Sequence, residues 1–431
     1  MKKWTLTGAV LVLVVIVVVW FLRPADIETG EAPAPIGGTP ADVIEHGRAL
    51  VNLANCQPCH TARGGAPFAG GRAIPTPFGV FYAPNITPDV ETGIGAWSAE
   101  DFWRALHNGR SRDGRLLYPT FPYTNYTKIS RSDALAMFEY LKTLPPVRQE
   151  SRDHELRFPY NQRALLVAWR RLFFRPGVYQ PDPSQSAEWN RGAYLVQGVA
   201  HCSACHEARN ALGAIQSRSN PAGGLVLNWY APALNSSREA GLGHWSEENI
   251  VSLLKTGRTV PDAPPDMRAS TIGPMAEVVF ESLQHADPSE LHAMAVYLKS
   301  LPDAQPGDEP RRMRMSAASA LTENGRKVYA DHCARCHGDN GEGQLPAGPA
   351  LTGNRAVTMA NATNPIRIVL YGGYTPGTSG NPRPFGMPPF AQTLSDQEIA
   401  AVVSYMRTSW NNRGAPVSAA EVARNRTGPL W

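Results

Sequence analysis

One spacing of apolar residues recurs along this chain. Met137, Phe138, Leu141 and Leu144 return as Met294, Ala295, Leu298 and Leu301, the i, i+1, i+4, i+7 pattern of a helix with one buried face. Tyr140, Tyr297 and Tyr405 take matching places, which extends the match to a third helix. Pro145 and Pro302 stop the first two helices, and Ser395-Asp396-Gln397-Glu398 opens the third with a capping-box pattern. A short helix is predicted well ahead of each, over 46–51, 191–196 and 324–329, and each carries a glycine where another helix can come close. The first two repeats also share Gly93-x-Gly95-x-Trp97-Ser98 and Gly241-x-Gly243-x-Trp245-Ser246. Ser98 and Ser246 read as helix N-caps, and the two tryptophans as core residues.

The N-terminus breaks this rhythm. Lys2 and Lys3 precede an uncharged apolar run from Trp4 to Leu22, long enough to cross nearly all of a hydrocarbon core of about 30 Å. Trp4 and Trp20 suit the two interfaces, and the lysines favour a cytoplasmic N-terminus. The alternative is a cleaved signal peptide, but the run is longer than a usual h-region and no clear small-x-small site follows. Either way the bulk of the chain crosses the membrane, which in a bacterium means an inner-membrane anchor with the rest in the periplasm. The expected division is an anchor over 1–23, a tether over 24–40 and a first domain over 41–147. A connector over 148–187, a second domain over 188–303, a linker over 304–320, a third domain over 321–412 and a polar tail over 413–431 follow. The connector holds a basic, strongly apolar helix candidate from Arg163 to Arg175, readable as a strut between domains or as a contact with membrane or partner.

The 431 residues include 38 Gly and 38 Pro, so long irregular loops between short helices are expected. A net charge of +4 is small for this length and gives no sign of a nucleic-acid partner. The six cysteines change the picture. They fall as Cys56 and Cys59, Cys202 and Cys205, Cys333 and Cys336, and each pair is followed at once by His60, His206 or His337. Two thiols three residues apart can add to the two vinyl groups of a haem while the adjacent imidazole reaches its iron. Zinc and thioredoxin-like sites also use Cys-x-x-Cys, but three histidine-appended copies that consume every cysteine point to three covalently bound haem c groups.

Each proximal histidine needs an acceptor to hold its ring. Pro84, Pro232 and Pro349 follow at suitable distances, and their backbone carbonyls are the candidates. A methionine opposite histidine raises the haem potential. Met387, in Gly386-Met387-Pro388-Pro389, and Met275, in Gly273-Pro274-Met275, are the candidate sixth ligands, with Met267 the rival of Met275. Met137, Met294 and Met406 lie in the closing helices and read as packing. No methionine stands between His60 and Met137; Phe121 occupies the equivalent loop position. The first haem is therefore five-coordinate or takes another ligand, with His107 and His154 as candidates.

With these residues in place, the chain resembles the three-haem cytochrome c subunits of membrane-bound bacterial alcohol, gluconate, fructose and aldehyde dehydrogenases. Besides the haem motifs, the resemblance is carried by Gly71-Arg-Ala-Ile-Pro-Thr-Pro-Phe-Gly79, Asn85-Ile-Thr-Pro88, Trp189-Asn-Arg-Gly-Ala-Tyr-Leu195, Ile272-Gly-Pro-Met275 and Gly386-Met-Pro-Pro-Phe390. It implies three class I cytochrome c-like domains, so the expected fold is mainly α, with these domains following the transmembrane helix read from residues 4–22. It also implies a catalytic dehydrogenase partner of molybdenum, flavin or quinone-cofactor type, with electrons passed to ubiquinone or a terminal oxidase. Phe121 and the N-terminal position of the anchor look more like the branch paired with molybdenum-containing aldehyde or N-heterocycle dehydrogenases. Two other functions stay open: a subunit of a terminal oxidase, and a peroxidase that uses an open first haem.

Overall fold

The computed structural model describes residues 37–216, 223–235, 239–264, 267–303, 318–344 and 348–426. The predicted anchor and most of the tether and linker lie outside them. Among the described residues no helix is long and apolar enough to cross a membrane. The chain divides into two compact units, residues 1–50 with 59–180 and residues 51–58 with 181–431.

The first set of elements is α1 (Pro40–Leu53), α2 (Cys56–Cys59), the hairpin β1 (Ala73–Thr76) and β2 (Gly79–Tyr82), α3 (Ala99–Asn108), α4 (Tyr123–Tyr126) and α5 (Arg131–Lys142), all within the first unit except residues 51–58. The hairpin is antiparallel, with Ala73 opposite Tyr82 and Thr76 opposite Gly79. Ser98 caps α3 and Asp101 answers from the third position, a full capping box of about 1 kcal/mol. Gly109, at φ 55°, ends the helix in the left-handed conformation. The core is formed by Trp103, Leu106, Tyr123, Met137, Phe138 and Leu141. Trp97, expected in the core, is only half-buried, and its neighbour Ser98 caps the helix at the surface. After α5 come β3 (Glu155–Leu156), which pairs with β2, and α6 (Leu165–Phe173). The connector helix is thus shorter than its apolar run, because the chain before it turns through Pro159 to Gln162.

The second unit repeats the plan twice. Its first set is α7 (Ala187–Tyr194), α8 (Ser203–His206), the hairpin β4 (Gly224–Val226) and β5 (Trp229–Ala231), α9 (Glu247–Thr256), α10 (Pro274–Glu281) and α11 (Pro288–Lys299). Ser246 caps α9, and Trp245 is buried. The second set is α12 (Ala318–His332), α13 (Ala334–His337), α14 (Arg355–Thr358), α15 (Thr363–Tyr371), β6 (Gly373–Tyr374), β7 (Gly386–Met387), α16 (Asp396–Thr408) and α17 (Ala419–Arg426). The expected polar tail is more than that. Val417 and Val422 are buried, and the Ser404 hydroxyl donates to the Val417 carbonyl at 3.2 Å. Two valines five residues apart among polar residues are too sparse a signal to read as an amphipathic helix.

The opening and closing helices cross in the same way in all three sets. A Cβ placed on Gly47 would meet the Ala136 carbonyl oxygen at 1.9 Å, on Gly192 that of Ala293 at 1.9 Å, and on Gly325 that of Ala401 at 2.2 Å. Glycine is what allows backbone to lie on backbone there. Within the second unit the two sets are also joined to each other. Tyr230 N–H donates to Asn364 Oδ1 at 2.9 Å and Asn364 Nδ2 returns a bond to the Tyr230 carbonyl at 2.7 Å. The Arg367 guanidinium lies 5.3 Å from the centre of the Trp229 ring.

Candidate haem sites

Each Cys-x-x-Cys-His motif begins just after an opening helix and winds through one short helical turn. That turn places two thiols and an imidazole on adjacent rungs of the same backbone. None of Cys202, Cys205, Cys333 and Cys336 is in a disulfide.

The imidazoles are held alike. His60 Nδ1 lies 2.8 Å from the Pro84 carbonyl oxygen, His206 Nδ1 2.7 Å from that of Pro232, and His337 Nδ1 2.9 Å from that of Pro349. A carbonyl only accepts, so Nδ1 carries the proton and Nε2 keeps its lone pair, the tautomer that an iron ligand needs. Burial lowers the pKa of all three rings, with the proline carbonyl opposing in part, so they are neutral at physiological pH. In the first two sets a β-hairpin delivers the carbonyl: β2 leads into Pro84 and β5 into Pro232. In the third, a bridge between Gln344 and Gly348 does so.

The residues fit haem c on these grounds: paired thiols, and a neutral histidine whose free lone pair is set by its other nitrogen. Among the described residues no group of three or more His, Cys, Asp or Glu is placed to hold a bare metal ion.

The candidate sixth ligands have different settings. Met275 stands in the first turn of α10, two residues after Gly273, where an added Cβ would strike the Trp229 ring at 2.8 Å. Its loop is therefore packed on the strand that leads to Pro232. Met267 lies in a turn closed by its own N–H to the Pro264 carbonyl. Met387 is on β7, paired with Gly373, and packs partly buried on the core of the third set. Met137, Met294 and Met406 are buried in the closing helices, as packing residues.

In the first set the loop before α4 carries Phe121, whose ring lies 5.4 Å from that of Tyr126. His154 Nδ1 accepts the Tyr82 N–H at 3.2 Å, which leaves the proton on Nε2, the wrong tautomer for a ligand through that atom. His107 is buried, stacked on Trp103 at 4.5 Å, with Nδ1 donating to the Thr127 carbonyl at 2.9 Å. Sequence reasoning missed that bond, because nothing in the spacing links residue 107 to residue 127.

The cytochrome c family model matches residues 44–145 and 322–410. The chain is 38% identical over 403 residues to the cytochrome c subunit of a quinone-type alcohol dehydrogenase from Gluconobacter oxydans, covering 89% of this chain and 82% of that protein. It is 35% identical over 404 residues to the gluconate 2-dehydrogenase cytochrome c subunit of Pantoea cypripedii, covering 89% of each. It is also 42% identical over 383 residues to a nicotinate dehydrogenase polypeptide of Pseudomonas putida, covering 87% of this chain but 31% of that much longer protein.

Proposed function

Because the chain belongs to the family of dehydrogenase cytochrome c subunits, we propose that it is a membrane-anchored carrier of three haem c groups serving a periplasmic dehydrogenase. One observation carries this reading: the same Nδ1–H to proline carbonyl bond stands behind each of His60, His206 and His337. The bond fixes each ring and leaves the Nε2 lone pair available, and among the described residues only these three histidines carry it directly beside a pair of cysteines.

The residues divide the work simply. Cys56 and Cys59, Cys202 and Cys205, and Cys333 and Cys336 attach the haems; His60, His206 and His337 ligate from one side. Met275 and Met387 would supply a thioether to the second and third, a ligand that raises haem potential. The first haem would lack that thioether, since Phe121 stands at the equivalent loop position, and would be the lower-potential member of the series. Haem iron supplies a one-electron couple, and the protein supplies placement and tuning. The paired bonds between Tyr230 and Asn364 fix the second and third sets against each other, as an electron path requires. The electron source is a catalytic subunit, and the acceptor is ubiquinone or a terminal oxidase in the membrane that residues 4–22 enter.

The test is purification of the full-length chain from membranes in detergent. A dehydrogenase subunit should accompany it, and that enzyme's substrate should reduce the haems. Copurification with an oxidase core alone, or haems that no dehydrogenase reduces, would overturn the assignment.

A further inference from the structure

One short helix of the first unit buries an arginine while it exposes two leucines. α6 and its C-cap turn Leu166, Arg170 and Phe174 inward, while Leu165 and Leu172, seven residues apart and so on one face, are 51% and 55% exposed. The buried Arg170 guanidinium lies 4.7 Å from the Phe174 ring centre and 5.3 Å from that of Tyr123. An ordinary surface helix keeps leucine inside and arginine outside; Leu166 follows that rule, and Leu165, Leu172 and Arg170 break it. Trp169, one turn from both leucines, is partly buried with its ring 5.6 Å from that of Phe173, and Phe158, just ahead of the helix, is 80% exposed.

Charge narrows the choice of what covers this face. From residue 156 to residue 181 every charged side chain is an arginine: Arg157, Arg163, Arg170, Arg171 and Arg175. An apolar stripe with aromatic side chains, flanked only by cations, matches the surface of a bilayer bearing anionic phospholipid. The chain outside the described residues points the same way. Between Leu22 and Pro40 stand 17 residues, 23–39, so on the membrane-anchored reading proposed above the first unit is tethered within about 60 Å of the bilayer.

We propose that the outward face of α6, with Phe158, rests on the anionic surface of the membrane. Leu165, Leu172 and Phe158 enter the acyl boundary, Trp169 sits at headgroup depth, and the outer arginines meet lipid phosphates. The proposal rests on the membrane-anchored reading above. It gives that reading a second point of attachment, which orients the first haem's unit on the bilayer.

Photolabelling of the full-length, haem-loaded protein tests it. The vesicles combine phosphatidylcholine with phosphatidylglycerol and carry a phospholipid with a diazirine on its acyl chain. After irradiation and proteolysis, lipid adducts are expected on two stretches, 4–22 and 158–173. The second set of adducts should be lost in vesicles of phosphatidylcholine alone. It should also be lost in the Leu165→Asp/Leu172→Asp double variant, whose sites are exposed and whose haem absorbance should be unchanged. Adducts on 4–22 alone would overturn the surface contact and leave the anchor standing; adducts on neither would overturn both. Protection of 158–173 from hydrogen exchange only when a catalytic subunit binds would assign the face to a protein and overturn the proposal.

Discussion

Gly192 and Ala293, 101 positions apart in sequence, touch backbone to backbone: a Cβ on the glycine would lie 1.9 Å from the alanine carbonyl oxygen. The Tyr297 Cβ closes the site from the next turn, 2.9 Å from the same point. Gly192→Ala therefore cannot be absorbed by a side-chain shift, and the two helices must part. Overpacking of this kind costs about 1–3 kcal/mol or more. Denaturant unfolding followed by haem absorbance should show that loss, whereas Gly177→Ala, with nothing within 4 Å of the added carbon, should leave the midpoint unchanged.

The repeated glycine shows how much was legible beforehand. The three opening helices, the three closing helices and the caps at Ser98, Ser246 and Ser395 rest on local rules of period and hydrogen bonding, so the sequence displays them. The proline carbonyls behind the three histidines were also readable, because the chain between motif and proline is short. What was not readable depends on contacts between distant residues. Examples are the Tyr230–Asn364 pair, the docking of Val417 and Val422, and the hold of Thr127 on His107. The exposed leucines and buried arginine of α6 belong here too, since an apolar run shows no inside until the fold supplies one.

Met275 and Met387 should be separable by spectroscopy. A His/Met pair gives ferric haem a weak long-wavelength charge-transfer band. Met275→Leu and Met387→Leu should each remove part of it, and the double variant should remove it all, since Phe121 leaves the first haem no thioether. A residual band in the double variant would place a third methionine on iron, and Met267 would be the first to examine.

His107 should behave as a packing residue. Its ring stacks on Trp103 and its Nδ1–H serves the Thr127 carbonyl, all buried. His107→Ala should lower stability by about 1–3 kcal/mol, the cost of a buried acceptor left unpaired. The haem spectrum of the folded variant should be unchanged. A shift from low-spin to high-spin absorbance would instead make His107 a ligand of the first haem.

Arg407 is fully buried and gives Nε to the Ala415 carbonyl at 2.6 Å, Nη1 to that of Val357 at 2.6 Å and Nη2 to that of Met359 at 2.8 Å. Burial lowers its pKa to about 10, still charged at neutral pH. Lysine cannot reach three carbonyls in this fork. Arg407→Lys should cost about 1–3 kcal/mol for each carbonyl left unpaired, read from thermal unfolding.

Acid should act partly through the cap of α16. The Ser395 side chain and backbone N–H hold the Glu398 carboxyl below its ordinary value of 4.5. A lowered folded pKa means stability that is present above 4.5 and lost as pH falls through the folded value. Glu398→Gln keeps an acceptor for Ser395 but cannot titrate. Its stability should therefore fall less steeply below pH 4.5 than that of the native chain, as followed by far-UV circular dichroism.

The central claim is three covalent haems on three equivalent motifs, and the intact mass of the purified holoprotein tests it most directly. The expected result is the polypeptide mass plus three haems, retained after acid extraction. Each of Cys56→Ala/Cys59→Ala, Cys202→Ala/Cys205→Ala and Cys333→Ala/Cys336→Ala should carry two. A native mass with two haems or fewer, or haem that extraction removes, would contradict it.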